Sequence, residues 1–517
     1  MRAFMIVSIL LLCCELAFGF KILHIVPGMS KSHFMFNNRL ACLLADRGHN
    51  ITMLTMNFWA ELDNKNSCPG VKVVQFYTIT NATLSEQYHA IFDQSGFSES
   101  RLANASQTLV MFRNLQIKWC ESVLKEERFV RSLANEKFDI ALSHFFSYCP
   151  LGLLRELQIP FIWHSAGSYL SDAALESLGV PYPASYVPNL MSSYSDRMNF
   201  WERVNHFFLV LFVAAYSKSP FSPFGQEQLL FGPYAPSYIE AGKDALAAFI
   251  NGEILLDFPH PISNQIYYAG DIDKEPEKQN IDGFLKQSGG SDFALFSFGT
   301  VVNVTYMPKH MLATLVATLN EFPNVTIFWK FDRDLLPKDA LLKPHVKIVT
   351  WIPQRQLLAH PKCRLFITHG GYNSMLEAAK AGVPMLTVPL LGDQYVNGAR
   401  IERLGIGLTV HKTEFTKNIM VEKLRELLYT DKFKLRAKGV SRMIQNPIMS
   451  QHLLVDNIER IVRNKAIWPQ NKRPTKLNII QYYCLDVIFV LGVISLLILY
   501  SILKVGYRIW LSINEYL

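Results

Sequence analysis

The stretch Phe366–Gln394 reads FITHGGYNSMLEAAKAGVPMLTVPLLGDQ. An apolar run that stops at Thr368-His369 has the composition of a buried strand. Gly370-Gly371 follow it, and paired glycines let the backbone turn tightly and leave room for a ligand to approach. Ser374-Met-Leu-Glu377 has the spacing of a helix capping box, and Gly382 falls where that helix should end. The expected order is therefore strand, turn, helix and a second strand over Met385–Val388, the repeating unit of a parallel α/β sheet. A helix N-terminus presents unbonded N–H groups and the positive end of the dipole, which together form an anion site. His369 and the hydroxyl of Ser374 would supplement it, although Ser374 alone is equally well explained as a plain cap. Glu377, one turn further on, is placed like the acidic residue that takes ribose hydroxyls in dinucleotide folds.

Outward from this stretch the same grammar repeats. Upstream, TWIPQRQLLAHP puts Trp351 and Gln354 just after a strand, where an indole can stack on a flat base. Asp393-Gln394 end the next strand and offer acceptors and donors to sugar hydroxyls. A series of elements starts at FALFSFGT (Phe293–Thr300) and continues through a helix at Lys309–Glu321 and strands at Val325–Lys330 and Val346–Val349. An earlier series starts at Lys21–Val26, with a helix at Phe34–Asp46, a strand at Ile51–Thr55, and later strands in FDIALSHF and IPFIWHS. The polar segment GDIDKEPEKQN joins the two series. This predicts two Rossmann-like domains, 20–269 and 291–465, with a linker at 270–290 and a cleft between the carboxyl ends of two facing sheets.

With 517 residues, half of them apolar and 18% charged, the chain is long enough for several cores. A net charge of +8 without a Lys/Arg block argues against nucleic acid as a partner. Residues 1–19 read as a secretory signal peptide, with Arg2, an apolar run and Ala17-Phe18-Gly19 as the cleavage site. Residues 484–503 read as a transmembrane helix around the uncharged VIFVLGVISLLILYSIL, leaving 504–517 as a cytosolic tail. The expected arrangement is single-pass and type I, with the bulk of the chain luminal. Sequons at Asn50, Asn81, Asn104, Asn303 and Asn324 agree with that. The five cysteines outside the two terminal segments (Cys42, Cys68, Cys120, Cys149 and Cys363) are an odd number without metal-type spacing; one disulfide is possible, but no cysteine framework is indicated. Phe207–Ala215, FFLVLFVAA, is too short to span a bilayer and is expected to be a core helix rather than one lying on a membrane.

The ordered motifs W-x-P-Q-x-x-L-L-x-H-P, H-G-G-x-N-S-x-x-E, G-V-P and D-Q resemble the signature of the UDP-glycosyltransferases, of the membrane-bound UDP-glucuronosyltransferase and UDP-glucosyltransferase type. Ser185–Val204, SYVPNLMSSYSDRMNFWERV, is similar to a segment of that family's acceptor domain, and SFGT to its diphosphate loop. The resemblance implies a GT-B fold and inverting, metal-independent transfer of a hexose or hexuronic acid from a UDP-sugar to a hydroxyl of a small lipophilic acceptor. It implies Trp351 on uracil, Gln354 and Glu377 on ribose, and Ser297, Thr300, His369, Gly371, Asn373 and Ser374 around the diphosphate. Asp393 and Gln394 would hold the sugar. It further implies residence in the endoplasmic reticulum, homo- or hetero-oligomers, and no cofactor. The base would be His33, in PGMSKSHFMF; the family's partner aspartate is replaced by His144 in FDIALSHF, while Asp139 matches an earlier structural position. A neutral imidazole cannot stabilise an imidazolium as a carboxylate does, so the alternative is a weak enzyme or a UDP-sugar-binding membrane protein. Asp271-Ile-Asp273 and Asp332-Arg-Asp334 have the form of metal-binding triplets but are expected to be solvated turns, with no metal bound.

Overall fold

Every strand pairing in the chain's described residues is parallel. The computed structural model describes residues 19–28, 31–57, 68–78, 86, 90, 93–98, 101–270, 272, 280–299, 302–337, 340–445, 451–468, 480 and 484–516. The signal-peptide reading therefore lies outside the described residues, as do Thr300, Asp271 and Asp273.

The first sheet is formed by β1 (Lys21–Gly28), β2 (Asn50–Asn57), β3 (Val71–Tyr77), β4 (Ile140–His144), β5 (Phe161–Ser165), β6 (Ala245–Ile250) and β7 (Ile266–Tyr268), in the spatial order β3-β2-β1-β4-β5-β6-β7. The second is formed by β8 (Phe293–Ser297), β9 (Thr326–Lys330), β10 (Val346–Val349), β11 (Cys363–Thr368), β12 (Met385–Thr387) and β13 (Gly407–Thr409), in the order β10-β9-β8-β11-β12-β13. In each sheet the winding direction reverses beside the first strand, between β1 and β4 and between β8 and β11. A crevice opens at the carboxyl ends of the strands at such a reversal, and ligands bind there. The strands read as unbroken apolar runs because helices cover both faces; Ile22, Leu23, Ile25 and Val26 of β1 have no exposure.

Several expectations are corrected. The second domain was expected to run to 465, yet the helix Gln451–Arg463 belongs to the first. Its Leu454, Ile458 and Ile461 pack with Ile22, Val26 and Ile51, and Trp468 Nε1 donates to the Leu246 carbonyl at 3.0 Å. An amphipathic stripe records that a helix has a buried face, but not which of two sheets covers it. The expected linker at 270–290 is also too long, because Ile281, Phe284 and Leu285 already pack on the second core. Where one disulfide was expected as possible, two form among the described residues, Cys42–Cys68 and Cys120–Cys149, leaving Cys363 buried and reduced.

The apolar run at 207–215 is not a core helix. It lies within the helix Phe200–Ser217, in which His206 alone is buried. The C-terminal helix, Leu485–Tyr516, forms a separate unit of the chain. Its segment Leu485–Trp510 contains an 18-residue stretch with a mean hydropathy of 2.5 and is long and apolar enough to cross a membrane. The helix continues through most of the expected tail rather than ending at 503.

The return of Gln451–Arg463 to the first domain makes a stability prediction. Ile458→Ala removes a fully buried side chain from the first core and should lower stability by about 2–5 kcal/mol. The readout is the midpoint of chemical denaturation, and an unchanged midpoint would contradict the packing assignment.

Candidate active site

The donor side gathers at the carboxyl ends of β8 and β11. Ser297 ends β8, and its Oγ accepts from the Gly299 N–H at 3.2 Å. Gly299 has φ +75°, and a Cβ there would come within 2.6 Å of the His369 ring, so glycine alone lets this loop lie on the histidine. Burial and then Lys330 push the His369 imidazole down to about 4, keeping it neutral. Gly371 is similarly confined, since its Cβ would meet His369 Nε2 at 2.5 Å.

The following helix begins one turn earlier than the capping box required. It spans Tyr372–Ala381 with Gly371 as N-cap and no side-chain cap, and Gly382 closes it in the left-handed conformation as expected. Asn373 and Ser374 therefore lie inside the first turn, beside N–H groups that no cap side chain covers. Glu377 sits a turn deeper and is held from both sides. Gln354 Nε2 donates to its Oε2 at 2.6 Å, and Arg355 Nε to its Oε1 at 2.9 Å. Gln354 Nε2 also reaches Ser374 Oγ at 3.3 Å. Arg355 was not singled out in the sequence, because its partner is 22 residues away. Trp351 is 55% exposed, so its indole is available for stacking rather than buried in a core. Lys330 Nζ lies 5.1 Å from the centre of the Trp351 ring and donates to the Gly299 carbonyl at 3.1 Å. It brings a cation into the donor site that no motif announced.

Asp393 and Gln394 open the helix Gln394–Leu404, but they are not equivalent. Gln394 Oε1 accepts from the N–H groups of Leu390 and Leu391 at 2.8 and 3.0 Å, so its oxygen shapes the loop. Burial raises the Asp393 carboxyl above its ordinary range, against the Asn397 amide, which donates to it at 3.0 Å. Asp332, in the second candidate metal triplet, accepts from the Asp334 N–H at 3.0 Å and so forms the expected turn.

A second group of candidate residues gathers at the carboxyl ends of β1 and β4. His33 lies in the first turn of the helix Lys31–Asp46, and its carbonyl accepts from Asn37 Nδ2 at 2.8 Å. Asn37 Oδ1 in turn meets His24 Nε2 at 2.9 Å. Burial pushes the His33 imidazole down to about 4. His144 does not take over the role of an aspartate. Its Nδ1 accepts from the Phe146 N–H at 3.2 Å, which puts its proton on Nε2, 2.8 Å from Met56 Sδ. Burial pushes this ring down to about 3, with His33 and His24 adding repulsion. The Phe146 ring lies 5.6 Å from His33 and 5.7 Å from His144, and so serves as a shared wall. The Phe145 ring is tilted against Phe146 at 4.6 Å and meets Tyr169 edge-on at 5.7 Å, and Asp393 acts electrostatically on Tyr169. A run of ring contacts thus leads from His33 through the half-buried Phe146 and the buried Phe145 to Tyr169, from residues whose spacing in sequence gave no sign of it.

The two sides are fastened together by buried polar contacts. Asn251 Nδ2 donates to Asn373 Oδ1 at 3.0 Å, and the Glu253 N–H to the Tyr372 hydroxyl at 2.7 Å. Arg400, from the second domain, donates to Asp257 Oδ1 at 2.5 Å, and to Ser168 Oγ and Asn397 Oδ1 at 2.7 Å each. Burial would raise the Asp257 carboxyl, but the guanidinium and His260 outweigh it and hold it below its usual range. Removing one partner of a buried ion pair costs about 3–5 kcal/mol, because the other charge stays buried and unpaired. Arg400→Met should cost that much in thermal or chemical unfolding. Adding Asp257→Leu should return part of the loss, and strictly additive losses would show that the two side chains do not act as a pair.

The family model described as "UDP-glucoronosyl and UDP-glucosyl transferase" matches residues 21–515. The chain is 29% identical to UDP-glucuronosyltransferase 3A2 of Homo sapiens, across 95% of this chain and 94% of that protein. It is also 29% identical to the putative UDP-glucuronosyltransferase ugt-60 of Caenorhabditis elegans, across 83% and 86%. Among solved structures it is similar to the calicheamicin glycosyltransferase CalG4, with 17% identity, TM-score 0.56, and 87% of this chain and all of that chain covered. It is likewise similar to Phytolacca americana UGT2 complexed with UDP-2fluoro-glucose and pterostilbene, with 16% identity, TM-score 0.55 and coverage of 86% and 99%. The fold is GT-B, and the chain belongs to the UDP-glucuronosyl and UDP-glucosyl transferase family, glycosyltransferases that take their sugar from a UDP-sugar.

Proposed function

We propose that this glycosyltransferase performs an inverting, metal-independent transfer, with His33 as the base and a small lipophilic hydroxyl compound as the acceptor. The observation that carries the reading is the cleft itself: His33 at the end of β1 and the donor residues at the ends of β8 and β11 meet across one aromatic lining. The acceptor oxygen attacks C1 of the sugar as its proton passes to His33, and the bond from C1 to the diphosphate breaks. Attack from the face opposite the leaving group inverts C1. The negative charge that develops on UDP falls at the N-terminus of Tyr372–Ala381, with Lys330 close by. Trp351 would carry the uracil, Glu377 the ribose and Asp393 the sugar hydroxyls. Asn373, Ser374, Ser297 and Thr300 would line the diphosphate.

The base in this reading is weak. Burial is the cause of its lowered basicity, and His144 is turned toward Met56 rather than toward it. A weak base works best on an acceptor that gives up its proton readily. Phenols should therefore outperform aliphatic alcohols, and the half-buried rings of Phe146 and Tyr169 suit a flat apolar acceptor. A single-pass anchor, with the two domains in the lumen of the endoplasmic reticulum, is supported by the apolar C-terminal helix and by two disulfides, which persist in oxidising compartments.

UDP release by full-length protein in membranes, with UDP-glucose and UDP-glucuronate supplied separately and a panel of phenols and alcohols, tests the reaction. His33→Ala should lower kcat/KM by about 10²–10⁴ while UDP still binds; equal activity would remove His33 from the mechanism. The pH profile gives an independent check. Because the folded imidazole titrates near 4 rather than 6.5, it remains an unprotonated base as pH falls through 6.5, and the acid limb of kcat/KM should lie near pH 4. A limb at 6.5 would mean that the base is a solvated histidine.

A further inference from the structure

We propose that Asp93, Gly96 and Phe97 are positioning residues for the donor: a short segment of the first domain reaches into the second and sets the two loops that carry the diphosphate and sugar groups. The inference rests on the donor roles just proposed for those loops. The segment 93–98 reads DQSGFS and lies between β3 and the helix Arg101–Lys125, both of which pack on the first core. Its own apolar residue goes elsewhere. Phe97 is 3% exposed and belongs to the second core, with Phe298, Val302 and Leu390.

The contacts of the segment fall on both loops. Asp93 Oδ1 accepts from the Asn303 N–H at 3.0 Å, on the chain that follows β8 past the Gly299 turn. The Gly96 carbonyl accepts from Lys412 Nζ at 2.8 Å, and the same ammonium donates at 3.1 Å to the carbonyl of Leu390, upstream of Asp393. Asp93 and Lys412 are both buried, and a charge taken out of water holds firmly to the groups that satisfy it. Gly96 is wedged between the loops: a Cβ there would stand 3.0 Å from Val302 and 3.5 Å from Leu391.

The physical gain is in the order of the loops. Loops at strand ends carry ligand-binding groups but are more mobile than the elements they join. A loop that the ligand must order subtracts that ordering from the affinity, whereas a loop held beforehand does not. The three residues act through Val302 and Asn303 on one loop and through Leu390 and Leu391 on the other. The hold comes from the domain that carries His33, so the acceptor domain sets the shape of the donor site it faces.

The test measures UDP release by the full-length protein in membranes, with whichever of UDP-glucose and UDP-glucuronate turns over, varying the donor and a phenol in turn. Asp93→Ala should raise KM for the UDP-sugar about tenfold with kcat and the phenol KM unchanged, the signature of lost donor binding. Asp93→Asn keeps an oxygen for the Asn303 N–H and should restore the wild-type KM. Gly96→Ala presses a methyl group on Val302 and should reproduce the shift with Asp93 intact, and it stands in if Asp93→Ala does not fold. A lowered denaturation midpoint with an unchanged donor KM, or an equal rise in both KM values, would reduce the segment to a fastener between domains and overturn the proposal. Asp393→Ala separates this outcome from the donor reading. If it too leaves the donor KM unchanged, the assignment of the loops fails together with the proposal; if it alone raises that KM, the proposal fails and the assignment stands.

Discussion

Arg400 and Asp257 come from different domains and meet in the wall of the cleft, with their side chains 7% and 6% exposed. A guanidinium taken so far out of water needs its partners fixed, and each is supplied by a different part of the chain: the carboxylate of Asp257, the hydroxyl of Ser168 and the amide oxygen of Asn397. Asn397 then turns its other end to the Gly370 carbonyl and to Asp393, both at 3.0 Å. A contact between domains is thereby continued into the glycine turn that follows the strand Cys363–Thr368 and into the Asp393 carboxylate. A GT-B enzyme divides its site between two sheets, so its chemistry depends on how those sheets are held. Here they are held by buried charge, which is unforgiving of misplacement.

The acceptor side follows a different rule. His24, His33 and His144 are all driven down to about 4 or below by burial. Keeping them neutral avoids the cost of burying charge, and it also determines what the site can do. A neutral imidazole beside phenylalanine accepts a proton only from a willing donor, which is why acidity of the acceptor enters the proposed specificity. Asn37 contributes by holding the His33 backbone to His24, so His33 is positioned without a carboxylate.

The elements from Phe366 to Gly382 were legible in the sequence because they form one strand-turn-helix unit, where spacing translates directly into geometry. Gly370, Gly371 and Gly382 could be read as turn and cap residues, since the conformations they take follow from local sterics. The capping box failed for a local reason too: Gly371 took the N-cap position three residues early, and Ser374 became part of the first turn. Arg355 and Lys330 escaped notice because an ion pair or a cation over a ring joins elements that sequence does not connect.

What the sequence by itself determined is the set of elements, their alternation and the chemistry of each motif, all of which follow from periodicity and from backbone conformations available to single residues. The tertiary structure decided what those elements face. The helix Gln451–Arg463 returns to the first sheet, Phe200–Ser217 turns its aromatic side outward, His144 points to Met56 and Arg400 closes the cleft. An apolar stripe or a polar side chain specifies that a partner is needed, but the partner's identity depends on packing among segments hundreds of residues apart. Only the folded chain brings those segments together.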